Sequence, residues 1–145
     1  AWTLAKMLDR PSLALLREVV AKFASGKPPA PETQDDALAT PAPAPTDDDL
    51  ELRWSEPAEA IVRRVRAAAP WPGAFTAIGE EVLTITKARV TDNVPKALVQ
   101  GEAFVRKDGI AVVRAGDVGV ELHGARLDDD EPELDAETIA DLLAP

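Results

Sequence analysis

The 145-residue sequence has no cysteine and no tyrosine, and its aromatic content is only 4%. The absence of cysteine excludes disulfides, thiolate metal sites and a cysteine nucleophile, and it fits a reducing compartment such as the cytoplasm. With so few aromatic residues, a folded core must consist mainly of Val, Leu, Ile and Ala. No apolar run approaches the roughly 20 residues that a membrane helix needs, and no signal-peptide pattern is visible.

Acidic residues outnumber basic ones by 10, but the charges are unevenly distributed. Residues 1–52 carry a net charge of −4, residues 53–127 carry +2, and residues 128–145 carry −8. Because phosphate binding depends on local basic charge, the central segment keeps nucleic acid as a candidate partner, although the acidic tail counts against it. The acids from Asp128 to Glu131 lack the spacing and glycine turn of a calcium loop, so we expect no metal site.

Two segments precede the central part of the chain. Apolar residues at helical spacing predict a helix from about Asp9 to Ser25, preceded by a separate turn over Leu4 to Leu8 and stopped by Gly26. Residues 27–49 hold six prolines and end in three aspartates, which indicates an extended linker; a proline-motif ligand is the alternative. The chain opens inside an apolar pattern, so we expect it to be a fragment of a longer protein.

Residues 50–145 are predicted to form the folded domain. Leu50 to Trp54 alternates like a strand with one buried face, and Ser55 is placed to cap a helix. The apolar stripe of that helix comprises Ala58, Ile61, Val62 and Val65.

Short strands punctuated by turns follow this helix. We predict them at Ala74–Ile78, Glu81–Val90, Gly101–Arg106, Ile110–Arg114 and Val120–Leu127. Asp135 caps a closing helix from Ala136 to Leu143, with Leu134 and Ile139 placed as a hydrophobic staple. Five or six short strands at this spacing predict a mainly β domain with flanking helices, built as a small barrel or sandwich.

The junction between the helix and the first strand carries a distinctive motif, Pro70-Trp71-Pro72-Gly73-Ala74-Phe75-Thr76. The two prolines fix an extended path, and Gly73 permits a turn that a side chain would forbid. We expect Trp71 and Phe75 to plug one end of the barrel.

Basic side chains are the candidate binding residues, because Arg and Lys hold a phosphate backbone without reading its sequence. The candidates are Arg63, Arg64, Arg66, Lys87, Arg89, Arg106, Lys107 and Arg126. The alternative is that the helix arginines only supply a charged outer face. No catalytic residue is expected: His123 and Asn93 are the only His and Asn, and no partner for His123 is evident.

Three segments together resemble the C-terminal domain of methionyl-tRNA formyltransferases: Leu52 to Ala67, the motif from Pro70 to Thr76, and the strand from Val82 to Ala88. Asp108-Gly109 and the glycine-basic stretch from Gly124 to Arg126 fall roughly where that family has its hairpin and its basic segment. The resemblance covers about Leu50 to Leu143. It extends weakly to residues 1–26, which are similar to the last helix of the family's catalytic domain.

The resemblance implies an OB-fold-like barrel that helps to hold the initiator tRNA during translation initiation. The family's catalytic Asn, His and Asp, and its 10-formyltetrahydrofolate, belong to an earlier catalytic domain, which the first helix would contact. The acidic run after Arg126 departs from the basic end typical of the family. Two alternatives therefore stay open: the barrel of a relative that formylates a small amine such as a nucleotide amino sugar, and a stand-alone protein-interaction module.

Overall fold

The computed structural model describes residues 2–78, 81–127 and 132–143. The chain divides into two compact units, Ala1–Ala44 and Pro45–Pro145. In the described part of the chain, no helix is long and apolar enough to cross a membrane.

The first unit consists of helix α1 (Trp2–Ala24) and an extended segment that contains a 3-10 turn at Asp36–Leu38. The prediction of two separate helical pieces is wrong, because α1 continues through Pro11. Pro11 removes only one N–H donor, and the flanking Leu, Ala, Lys and Met residues favour helix. Gly26 ends the helix at φ +70, and the Lys27 amide donates to the Lys22 carbonyl at 3.0 Å, as in a Schellman motif.

The second unit opens with a short helix, α2 (Asp47–Leu50), where the sequence predicted the end of the linker. Its capping box joins Thr46 to the Asp49 carboxylate, which accepts from the Thr46 amide at 2.9 Å and from the hydroxyl at 2.8 Å. The predicted strand from Leu50 to Trp54 is reduced to one parallel bridge between Glu51 and Phe75. The predicted burial of Leu52 is nevertheless correct.

Five antiparallel strands form one sheet in the order β1-β2-β5-β4-β3. They are β1 (Ala74–Ile78), β2 (Glu81–Thr91), β3 (Ala103–Val105), β4 (Ala111–Arg114) and β5 (Gly119–Arg126). Together with the flanking helices α3 (Ala58–Ala68) and α4 (Ala136–Leu142), they confirm the prediction of a mainly β, open barrel-like domain.

Helix α3 packs on β2 and β5 through the predicted apolar stripe. Ile61 and Val65 are buried with Leu83, Ile85 and Leu122, while Val62 is half-buried. Aliphatic side chains thus fill the core, as the shortage of aromatic residues requires.

The cap of α3 differs from the prediction, which placed Ser55 there. The residue before the helix is Pro57, whose side chain makes no capping hydrogen bond. Instead, Asp117 in the β4–β5 turn accepts from the Ala58 amide at 2.8 Å. The cap of α4 is the predicted one, because the Asp135 carboxylate accepts from the Thr138 amide at 2.9 Å.

The Pro70–Phe75 junction confirms the role of Gly73 and overturns that of Trp71. Gly73 has φ +93 and is packed so closely that an added Cβ would lie 2.3 Å from the Thr84 Cγ2 atom. Trp71 is 66% exposed, so it plugs nothing, whereas Phe75 is half-buried. Prolines on both sides of Trp71 hold it in a surface turn after α3.

Candidate functional site

A groove of about 430 Å³ lies between α3 and strands β2 and β5. Its walls combine apolar groups with basic and hydroxyl side chains, namely Val62, Val65, Arg66, Ala69, Thr86, Lys87, Ala88, Arg89 and His123. We call it the α3–β2 groove. Three of the eight predicted binding residues, Arg66, Lys87 and Arg89, meet in it.

The arginines of α3 point to different surroundings, because only one side of the helix lies against the sheet. Arg66 reaches the groove next to buried Val65. Arg64 forms a half-buried ion pair with Glu56, donating to its two carboxylate oxygens at 2.7 and 3.1 Å. This pair lowers the pKa of Glu56 and engages Arg64 within the domain, outside the groove.

Arg63 lies on the exposed side of α3. Its Nε atom is 3.3 Å from the Glu59 carbonyl and 3.8 Å from the Glu59 carboxylate. Arg63 is not among the residues that line the groove.

Strand β2 contributes Lys87 and Arg89, and its pairing with β5 is irregular there. The register shifts between Ile85 and Lys87 and again between Lys87 and Ala88. Such bulges redirect side chains and are frequent beside functional sites. Lys87 lies 3.0 Å from the Glu133 carboxylate, which also accepts a hydrogen bond from the Thr86 hydroxyl.

A chain of hydrogen-bonded side chains on and beside β5 reaches the groove at His123. The His123 Nε2 atom lies 2.9 Å from one Glu121 carboxylate oxygen, and the other oxygen accepts from Arg106 at 2.5 Å. Burial of Glu121 opposes its ionisation, but the hydrogen bonds from Arg106 and His123 prevail and hold its pKa below the usual value. His123 therefore has a partner that sequence reasoning missed, although Glu121 stands two residues away on the same strand.

The remaining predicted residues lie outside the groove. Arg106 also binds both carboxylate oxygens of Asp108 at 2.7 Å, which raises the pKa of its guanidinium. Lys107 lines a separate depression with Asn93 and Phe104. The Arg126 Nη2 atom donates to the Pro70 carbonyl at 2.7 Å and so braces the α3–β1 junction.

Metal binding has no candidate cluster among the residues that the structure describes. The acidic run from Asp128 to Glu131 lies outside those residues, so its predicted effect on phosphate stays a prediction. Within the described ranges, the α3–β2 groove combines three cations, one hydroxyl and one imidazole. This arrangement suits an anionic ligand.

Fold and groove together define a small β domain with a groove lined by basic side chains. Residues 46–140 match the family described as the formyl transferase C-terminal domain, and the chain belongs to that family. The chain is 32% identical over 120 residues to a methionyl-tRNA formyltransferase of Bacillus licheniformis, covering 83% of this chain and 38% of that protein. It is 44% identical over 75 residues to the methionyl-tRNA formyltransferase of Dehalococcoides mccartyi, covering 52% and 23% respectively.

A solved structure shows a similar fold. The crystal structure of HypX from Aquifex aeolicus in complex with tetrahydrofolic acid matches with a TM-score of 0.67 and 17% identity, over 89% of this chain and 22% of HypX. At that identity the likeness concerns the fold alone. The chain thus spans well under half the length of these relatives.

Proposed function

We propose that this chain positions the acceptor for a 10-formyltetrahydrofolate-dependent formyltransferase, and that the acceptor is initiator methionyl-tRNA. The convergence of Arg66, Lys87 and Arg89 from α3 and β2 on one groove is the observation that carries this proposal. The folate and the catalytic residues belong, in this proposal, to a catalytic domain outside this chain.

Phosphate recognition follows from the groups in the groove. Arginine and lysine side chains neutralise phosphates and release condensed counterions, which gives affinity that falls steeply with salt. The Thr86 hydroxyl adds a neutral donor, and Val62 and Ala69 add apolar surface to the walls. Such contacts fix the register of an RNA backbone without reading its bases.

Orientation is the contribution that this domain makes to the reaction. Holding the acceptor amine beside the formyl donor turns a bimolecular encounter into an effectively unimolecular one, which contributes up to about 7–11 kcal/mol in favourable cases. We place this role in translation initiation in the cytoplasm.

Helix α1 is proposed to contact the catalytic domain of the same enzyme. Apart from half-buried Val19, all of its side chains from Thr3 to Ala24 are exposed, including large apolar ones such as Leu13, Leu16 and Phe23. A stripe of this kind needs a packing partner. Residues 1–26 would then be the end of the catalytic domain, residues 27–49 the linker, and residues 50–145 the acceptor domain.

A second candidate acceptor is a small amine such as a nucleotide amino sugar. One observation favours it: Glu133 already neutralises Lys87, so the groove offers fewer unpaired cations to a polyanion. Its volume of about 430 Å³ also lies within the range of small-molecule sites.

Salt-dependent binding of fluorescently labelled initiator tRNA separates these proposals. We expect the Arg66→Gln/Lys87→Gln/Arg89→Gln variant to bind more weakly. Its slope of log affinity against log salt should be shallower by up to about 2.7, or about 0.9 for each phosphate that is no longer neutralised. The matched control is Arg63→Gln, which removes an exposed charge from the same helix outside the groove.

The tRNA proposal fails if the wild-type chain shows no binding at low ionic strength, or if Arg63→Gln alone weakens binding as much as the triple variant does. Binding of a nucleotide amino sugar in the groove, without tRNA binding, would favour the second candidate.

A further inference from the structure

Glu133 places a carboxylate at the rim of the α3–β2 groove. That carboxylate lies 3.0 Å from the Lys87 ammonium and accepts a hydrogen bond from the Thr86 hydroxyl. Both donors line the groove. An acidic side chain from the segment after β5 thus occupies two of the groups that an incoming anion would use.

The backbone on the C-terminal side of Glu133 is fixed to the domain. The Leu134 amide donates to the Ala125 carbonyl at 2.6 Å, and the Leu134 side chain packs against the core. Asp135 then caps α4. The position of Glu133 is therefore set by its neighbours, and only its side chain needs to move to release Lys87.

Gly124 on β5 provides the room for this carboxylate. An added Cβ would lie 2.6 Å from a Glu133 carboxylate oxygen and 2.8 Å from the Thr86 hydroxyl oxygen. The carboxylate consequently lies directly over the β5 backbone. Displacement of this carboxylate would leave a space bounded by the Thr86 hydroxyl, the Lys87 ammonium group and the backbone of Gly124.

A hydroxyl and an ammonium group are also the donors that a phosphate oxygen accepts from. The hydrogen bonds from Thr86 and Lys87 lower the pKa of Glu133, so the side chain is an anion at neutral pH. The Lys87 and Glu133 side chains are 65% and 42% exposed. Exposed ion pairs are weak, so displacement by another anion is energetically accessible.

We propose that Glu133 is an intrachain competitor: its carboxylate occupies a phosphate subsite formed by Thr86 and Lys87 over Gly124, and a phosphate ligand binds by displacing it. This inference rests on the proposed function for the identity of the natural ligand. The segment after β5 then sets the affinity of the groove and favours ligands with several phosphates, which also engage Arg66 and Arg89.

Titrations of four chains test the proposal: wild type, Glu133→Gln, Lys87→Gln and the double variant. Inorganic pyrophosphate is the first probe, followed by backbone amide chemical shifts, and initiator tRNA is the second, followed by fluorescence anisotropy. We expect Glu133→Gln to bind both probes about two- to fivefold more tightly, the change that corresponds to an exposed ion pair. The double variant should lose that gain.

Glu137→Gln is the matched control, because it removes the same charge from the exposed first turn of nearby α4. Equal tightening by Glu137→Gln would show a bulk charge effect and overturn the proposal. Unchanged affinity of Glu133→Gln for pyrophosphate, or the absence of pyrophosphate binding by every variant, would also overturn it.

The two probes distinguish the two proposals. If Glu133→Gln tightens pyrophosphate binding but no variant binds tRNA, the competitor stands and the tRNA function fails. If tRNA binding depends on the groove arginines but neither tRNA nor pyrophosphate binding depends on Glu133, the function stands and the competitor is refuted.

Discussion

Replacing Gly116 with alanine should destabilise the second unit strongly, although Gly116 does not line the groove. This glycine is in the β4–β5 turn, where an added Cβ would lie 2.4 Å from the Ser55 carbonyl oxygen and 2.9 Å from that of Glu56. Both obstacles are backbone atoms, which cannot rotate away as a side chain does. The φ of Gly116 lies outside the left-handed region, so the effect comes from crowding alone.

Two effects determine the loss of unfolding free energy: crowding of the added Cβ and weakening of one hydrogen bond in the turn. Crowding of this kind in a packed site costs about 1–3 kcal/mol. Moving the turn also weakens the hydrogen bond from the Gly116 amide to the Glu56 carbonyl, 2.9 Å long, which contributes about 1 kcal/mol. The expected loss of unfolding free energy is therefore about 2–4 kcal/mol.

Urea unfolding followed by far-UV circular dichroism measures this loss. With a slope of about 1.5 kcal/mol per molar urea, the midpoint should fall by roughly 1–3 M. The control is Gly109→Ala in the β3–β4 hairpin, where φ is +80 and nothing lies within 4 Å of the added Cβ. Only backbone strain of about 1–2 kcal/mol applies there. A Gly116→Ala midpoint close to that of wild type would refute the steric argument.

Two further substitutions probe the acid sensitivity of the domain and its surface. Hydrogen bonds from the Ala58 and Val118 amides lower the pKa of Asp117 in the folded state. The Asp117 carboxylate therefore contributes stability above its unfolded-state pKa of about 3.9, and this contribution is lost as pH falls through its folded-state pKa. The Asp117→Asn side chain cannot titrate, so the urea midpoint of this variant should differ less between pH 7 and pH 3 than that of wild type. A difference equal to that of wild type would contradict this prediction. Trp71→Ala should change the unfolding free energy by less than about 0.5 kcal/mol because the side chain is exposed. A larger loss would indicate that the Trp71 side chain packs against the domain.

Local patterns predicted much of this fold. The turns that bound β2 and β5, the helical spacing of Ile61 and Val65, and the Asp135 cap are all encoded within a few residues of where they act. Each was identified correctly because neighbouring side chains determine it. The separate turn over Leu4 to Leu8 was predicted wrongly, because the helix-forming residues before Pro11 continue α1 toward the N-terminus.

The groove was only partly predictable, because its geometry depends on interactions between distant residues. The sequence predicted Arg66, Lys87 and Arg89 as binding residues, but it could not separate them from Arg64, whose partner Glu56 lies eight residues away. The bulge at Lys87 arises from pairing with β5. The approach of Glu133 to Lys87 joins positions 46 residues apart, and no spacing rule detects it.

The segment before α3 has a consequence for the behaviour of the domain at high concentration. The Leu52 amide donates to the Phe75 carbonyl at 2.8 Å, and the Trp54 indole donates to the Thr76 hydroxyl at 3.0 Å. The first bond uses a backbone acceptor at the outer edge of β1, and the second holds Trp54 against the same strand. The opposite edge strand, β3, has only three residues. A sheet with one edge partly covered and the other so short offers little template for strand addition by a second copy, which disfavours edge-to-edge aggregation.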